Sequence, residues 1–194
     1  PTQNFIIYSE NIIYLKNENI ITANGKSKII DSEQKTISAK KFLFDLSKNI
    51  FNASDNVKIT DPINNYQISS EKIIYFKNKE EINTRGKTNS FINSRYNIKS
   101  EDLKIFNNIK KITSKKNASI IDNISKTHYQ LRNFSLSMQD EILKGQNISV
   151  NTDFNLPYND KYFLKSGIFD LKNQSFVTED IDIKLKKDIF GNKK

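Results

Sequence analysis

The 194-residue sequence contains no cysteine and no tryptophan, one histidine, one methionine, five glycines and three prolines. Without cysteine there is no disulfide framework, no thiolate zinc site and no thiol nucleophile. His128 is the only imidazole, so a histidine-centred triad would hang on one residue in the segment THYQLRNF, which carries no nucleophile motif. It reads as a hydrogen-bonded or solvated histidine. G-x-G-x-x-G, Walker and H-E-x-x-H patterns are missing as well. No apolar run reaches the roughly 18 residues that a spanning helix needs. The opening PTQNFIIYSEN lacks the basic region and cleavage pattern of a signal peptide. The chain is therefore expected either to be cytosolic or to have lost a leader.

Charge is plentiful but uneven. Lys and Arg together number 31 against 22 Asp and Glu, a net charge of +9, yet only Arg85, Arg95 and Arg132 are arginine. Nucleic-acid surfaces favour arginine for its bidentate fork, whereas lysine is a point charge. The excess therefore reads as lysine spread over solvated faces, and no nucleic-acid partner is expected. Asp31, Asp61 and Asp122 recur at equivalent places, as turn residues do because Asp accepts local backbone hydrogen bonds. No set of residues suggests a metal site, a cofactor or a catalytic group, and the chain is not expected to be an enzyme.

The organising feature is a repeat. ITANGKSKIID from Ile21, FNASDNVKITD from Phe51, INTRGKTNSFI from Ile82, ITSKKNASIID from Ile112 and ILKGQNISVN from Ile142 align at spacings of 30, 31, 30 and 30 residues. A sixth copy, Ile168–Ile183, mirrors Leu43–Ile59. Fixed periods of this length mark arrays of supersecondary units. Within each unit the period is two: Ile37 and Ala39 alternate with Thr36 and Ser38, then Phe42 and Phe44 take up the opposite phase. The change near Lys40–Lys41 predicts a bulge or bend. Polar turn clusters fall at Lys16–Asn19, Ser47–Asn49, Lys77–Glu80, Asn107–Lys110 and Lys172–Gln174. A second series falls at Asp31–Lys35, Asp61–Asn65, Asn93–Arg95 and Asp122–Lys126.

Each unit is thus two strands and two turns, giving eleven or twelve consecutive antiparallel strands and no long helix. Asn151–Asp160, with Pro157, reads as a longer loop inside one domain spanning 1–194. The fold class expected is all-β, an elongated and open meander rolled into a two-layer, jellyroll-like body. Its inward column would hold Ile12, Tyr14, Ile21, Ala23, Ile37, Ala39, Phe42, Phe44, Phe51, Ala53, Ile73, Tyr75, Ile82, Leu103, Ile105, Ile112, Phe134, Phe169 and Phe176. Small Ala23 and Ala53 opposite large aromatics would leave room at the centre. Alternation alone does not say whether that room is a packed core or an apolar groove.

The order I-x-A-x-G … I-x-D, followed by I-x-A-x-x-F-x-F-D, over Ile21–Asp31 and Ile37–Asp61, resembles the OstA-like repeats of the lipopolysaccharide transport family. The likeness covers nearly the whole chain and is strongest over residues 12–90. The glycine of the motif is kept at Gly25 and Gly86 and replaced by Asp55 and Lys116 in other units. Within the family, the stretch GIFDLKNQSFVTEDIDIKLKKDIFGNKK is most similar to the end of the N-terminal periplasmic domain of the LptD branch, with the LptA branch next. The resemblance implies a periplasmic location attached to the outer membrane, in a fragment whose barrel would follow residue 194. It implies a non-catalytic conduit whose apolar interior takes the acyl chains of lipopolysaccharide while the sugars stay outside. Implied partners are an LptA-like bridge protein on the N-terminal edge strand, around Phe5–Leu15, and an outer-membrane barrel with its LptE-like lipoprotein at the last strand, Phe176–Lys187.

Overall fold

The computed structural model describes residues 5–156 and 159–185. Fourteen strands follow one another: β1 (Phe5–Tyr8), β2 (Asn11–Leu15), β3 (Ile20–Asp31), β4 (Thr36–Asp45), β5 (Ile50–Asp61), β6 (Tyr66–Phe76), β7 (Glu81–Ile92), β8 (Tyr96–Glu101), β9 (Lys104–Phe106), β10 (Lys111–Asp122), β11 (Thr127–Ser137), β12 (Ile142–Asn151), β13 (Lys161–Asp170) and β14 (Ser175–Lys184). All belong to one sheet, and every pairing is antiparallel. The excess over twelve has a simple origin. β1 and β2 both pair with β3, and β8 and β9 both lie between β7 and β10, so each pair is one broken strand. β1–β2 and β14 are the free edges.

Both series of expected turns are present. One row of turns (row A) lies at 16–19, 46–49, 77–80, 107–110, 138–141 and 171–174. The other (row B) lies at 32–35, 62–65, 93–95, 123–126 and 152–156. Asn19, Asn49, Asn65, Asn93 and Lys126 take positive φ there, which Asn tolerates because its short amide bonds locally. Successive turns are stitched by backbone bonds: in row A the N–H groups of Leu46, Lys77, Asn107, Met138 and Leu171 donate to the carbonyls of Asn19, Asn49, Glu80, Lys110 and Glu141 at 2.8–3.1 Å. Pro157, expected in the longer loop, lies outside the described residues, as does Lys187.

The bend expected near Lys40–Lys41 is real and general. Register slips at Asn24/Ser27, Ser38/Lys41, Ser54/Val57, Ser70/Lys72 and Ser114/Asn117 draw a line of bulges across the middle of the sheet. The motif glycines sit here and not in turns: Gly25 and Gly86 have φ of +99° and +76°, and Asp55 at +68° takes the same role in β5. A Cβ is strained at such angles, so glycine is the natural choice for a G1-type bulge. The bulges fold the sheet on itself, so that row A half-strands face row B half-strands. Phe5 at the row B end meets Phe44 at the row A end with ring centroids 5.1 Å apart. The result is the all-β jellyroll expected from the repeat.

Candidate functional site

The two half-sheets enclose one continuous apolar interior. Its row A side is built from Ala23, Phe42, Phe44, Phe51, Ala53, Ile73, Ile82, Leu103, Ile105, Ile112, Phe134 and Phe169, all buried. Ile37 and Ala39, also buried, lie on the row B side, and Ile21 and Tyr75 are half-buried against the same cluster. Cross-strand pairing puts Ala23 and Ala53 on either side of Phe42, as the alternation of small and large residues suggested.

Three members of the expected column are not enclosed. Ile12, Tyr14 and Phe176 are 49%, 52% and 40% exposed. Register places Ile12 beside Ala23, Tyr14 beside Ile21 and Phe176 beside Phe169, so all three stand on the inward face. They are open because β2 and β14 are edge strands with no neighbour beyond them.

Sequence reading missed half of the interior. Ile29, Val57, Ile59, Ile68, Ile98, Ile120, Ile148 and Val150 are buried on the row B half-strands. Their signal is the same alternation carried through each bulge: Ile29, Val57, Ile59 and Ile120 keep the parity of the row A residues on their strand, while Ile68, Ile148 and Val150 lie in the opposite one.

The interior opens at its N-terminal end. A cavity of about 130 Å³ lies between Phe5, Ile29, Ile37, Phe44, Phe51 and Tyr75, with Lys35, Lys77 and Glu80 at its rim. That is the order of an engineered apolar cavity that admits a benzene ring. Lys35 corrects the expectation that the lysines stay outside: it is 7% exposed, its Nζ lies 3.0 Å from Asp61 Oδ2, and it sits 5.5 Å from the Tyr75 ring centroid. Burial opposes its charge, but Tyr75 and Asp61 outweigh it and hold the ammonium above its ordinary pKa.

Elsewhere the two rows of turns meet in a polar seam. Asn107 Nδ2 donates to Tyr66 Oη at 3.3 Å, and Lys110 Nζ donates to Asn64 Oδ1. Further along, Arg95 of row B donates from Nε and Nη2 to both oxygens of Asp122, at 2.9 and 2.7 Å. Its Nη1 reaches Glu141 of row A at 2.7 Å, and Nη2 reaches the Leu171 carbonyl at 3.3 Å. Burial would raise the Asp122 carboxyl, but Arg95 and the N–H of Ile124 bind the anion and hold its pKa below the usual value. The recurring aspartates thus do the expected turn work, Asp61 accepting from the Asn64 N–H at 2.8 Å, while Asp61 and Asp122 also anchor Lys35 and Arg95, the row B cations that face row A. His128 lies on the outer face, Nε2 2.8 Å from Ser119 Oγ and its ring edge-on to Phe154.

A folded antiparallel sheet with a continuous apolar interior defines an all-β jellyroll as its fold class. No protein-family model and no curated protein sequence matches the chain. Among solved structures the fold is similar to that of LptH, the LptA-homologous periplasmic component of the lipopolysaccharide transport device from Pseudomonas aeruginosa. The TM-score is 0.50 at 8% identity, over 54% of this chain and 77% of that one.

Proposed function

We propose that this protein is a periplasmic component of lipopolysaccharide transport, a non-catalytic conduit that carries acyl chains in its interior while the phosphorylated sugars travel outside. The observation that carries this reading is the interior itself, apolar from Phe44 to Phe169 and open at the Phe5–Tyr75 mouth. Burying a methylene is worth about 0.8 kcal/mol, so a chain of a dozen carbons gains on the order of 10 kcal/mol in such a track. A track made of repeats offers similar surroundings at each step and so no single deep trap. Lys77 at the rim suits the lipid's phosphates.

Within that function the reading favoured here is the N-terminal domain of an LptD-type outer-membrane assembly protein. The free β1–β2 edge would take a bridge protein by strand addition, and β14 would lead towards the barrel and its LptE-like lipoprotein. An LptA-type bridge is the second reading, because both sheet edges are free. A photo-crosslinking residue at Phe44 or Tyr75 tests the conduit, since it should form adducts with added lipopolysaccharide. The same residue at outward-facing Leu43 or Phe91 should not. Adducts at the outward positions alone would refute the proposal.

A further inference from the structure

The seam raises a difficulty for any amphiphile carried with its chain inside and its head outside. Where a row A group is bonded to a row B group the two rows are tied together, and a head group sliding between them meets the tie. The bonded stations are three: Lys35 against Tyr75, the pairs Asn64–Lys110 and Tyr66–Asn107, and Arg95 against Glu141 and Leu171. Each joins a residue in or beside a row B turn to one in or beside a row A turn further along the chain, so the seam runs obliquely. Among the described residues, row A turn 16–19 at one end and row B turn 123–126 at the other make no bond to the opposite row. The ties between the rows therefore fall in the middle of the molecule, on either side of a cavity of about 330 Å³ between Tyr66, Ile92, Ile105 and Met138.

We propose that the Arg95 station is a latch, and that the seam must part there for a head-bearing lipid to pass. This rests on the conduit reading above and concerns how that same interior is opened. The two carboxylates that hold Arg95 are unequal. Asp122 is 1% exposed, belongs to the same row and is bound through both oxygens. Glu141 is 33% exposed, belongs to the opposite row and is bound through one oxygen. Arg95 therefore stays with Asp122 while the Glu141 and Leu171 contacts break. The freed face of the guanidinium is then presented to whatever anion lies outside the seam, and a lipid phosphate makes the same charge-assisted bond that Glu141 gives up. The station also has a poorly satisfied neighbour: the Tyr96 ring lies 4.7 Å from the guanidinium, and its hydroxyl is buried with no hydrogen-bond partner. Such an orphan opposes the closed state, as suits a contact made to be broken.

The chain has no cysteine, so a unique pair can be introduced. Asn64→Cys with Lys110→Cys, bridged by a short reducible bifunctional thiol reagent, staples the seam and leaves Arg95 untouched. Benzoylphenylalanine at Tyr75 reports the mouth, and at Phe134 it reports the interior. With purified lipopolysaccharide, stapling should leave adducts at Tyr75 and reduce those at Phe134 at least tenfold, with recovery on reduction. Palmitate, whose small carboxylate needs no slot, should still label Phe134. Glu141→Asn suits the positive φ of that residue and shortens its reach, so it should speed lipopolysaccharide labelling at Phe134 several-fold. Undiminished lipopolysaccharide labelling at Phe134 in the stapled protein, equal loss of palmitate labelling, or no effect of Glu141→Asn would each overturn the latch. Absence of lipopolysaccharide adducts at Tyr75 before stapling would refute the conduit reading and the latch with it.

Discussion

Asp122→Asn is the sharpest test of the seam's contribution to stability. The carboxylate is 1% exposed and bound by Arg95 through two bonds of 2.9 and 2.7 Å, while it also accepts from the Ile124 N–H at 2.9 Å. Removing one partner of a buried ion pair costs about 3–5 kcal/mol because the other charge is left uncompensated. Arg95 keeps Glu141, so the cost falls at the lower end, about 3 kcal/mol. For a chain of this length each kcal/mol moves Tm by about 2–4 °C, so the variant should melt about 6–12 °C below the parent at pH 7. The pH dependence supplies a second check. The folded carboxyl lies below its unfolded pKa, so its stabilisation is complete above about pH 3.9 and is lost as pH falls through the depressed folded value. The gap between parent and variant should hold steady down to about pH 4 and narrow as pH falls further, followed by circular dichroism melts. A Tm loss below about 2 °C, or a gap that does not change with pH, would show that the pair contributes nothing beyond its turn bonds.

Two further outcomes are expected. Phe44→Ala removes ring contacts to Phe5 and Phe51 at 5.1 and 6.1 Å from a buried wall of the mouth. It should cost about 3 kcal/mol in denaturant unfolding, the low end for a buried Phe because the mouth can relax. It should also increase binding of an apolar dye, and a loss under about 1 kcal/mol would mean that the wall is not packed. His128 is held below its ordinary pKa by burial, so the folded state favours the neutral ring. Stability should therefore decline as pH falls below about 6.5 towards the depressed folded value, and His128→Gln should flatten that slope in melts between pH 7.5 and 5.5.

Much of this architecture was legible because β-structure writes itself in period two and the units repeat. Phe42, Phe44, Phe51 and Ala53 announced their inward side by alternation, and both rows of turns were marked by Asn, Asp, Ser and Lys clusters. Less legible was what depends on a single inserted residue. The strands with Gly25, Asp55 and Gly86 keep one parity through the bulge, so Ile29, Val57 and Ile59 follow a strict count, whereas β4 and β6 change parity at theirs and Ile68 rejoins the interior against the count that places Ile73. Edge effects were invisible too, because the patterns at Ile12 and Tyr14 are those of inward residues and only the lack of a neighbouring strand exposes them. The seam could not be read at all: Arg95 lies 46 residues from Glu141 and 76 from Leu171, and their meeting follows from how far the sheet folds over.

That last point bears on why so few arginines suffice. The lysine-rich exterior needs only point charges, which solvent screens and which contribute little to stability. A contact that joins two rows of turns across the seam of a folded sheet needs a planar donor able to hold one carboxylate through two bonds and reach a second with a third nitrogen, and lysine lacks that geometry. Arg95 supplies it, at the turn between β7 and β8 where the seam crosses the middle of the molecule. Arg95→Lys should therefore keep the charge and fail as a clasp: the ammonium can pair with Asp122 or with Glu141, and only the bidentate fork serves both. The expected signature is melting at a temperature between the parent and Asp122→Asn, together with a loss of coupling between positions 122 and 141 in a double-mutant cycle. Full retention of that coupling in the lysine variant would show that charge alone holds the seam.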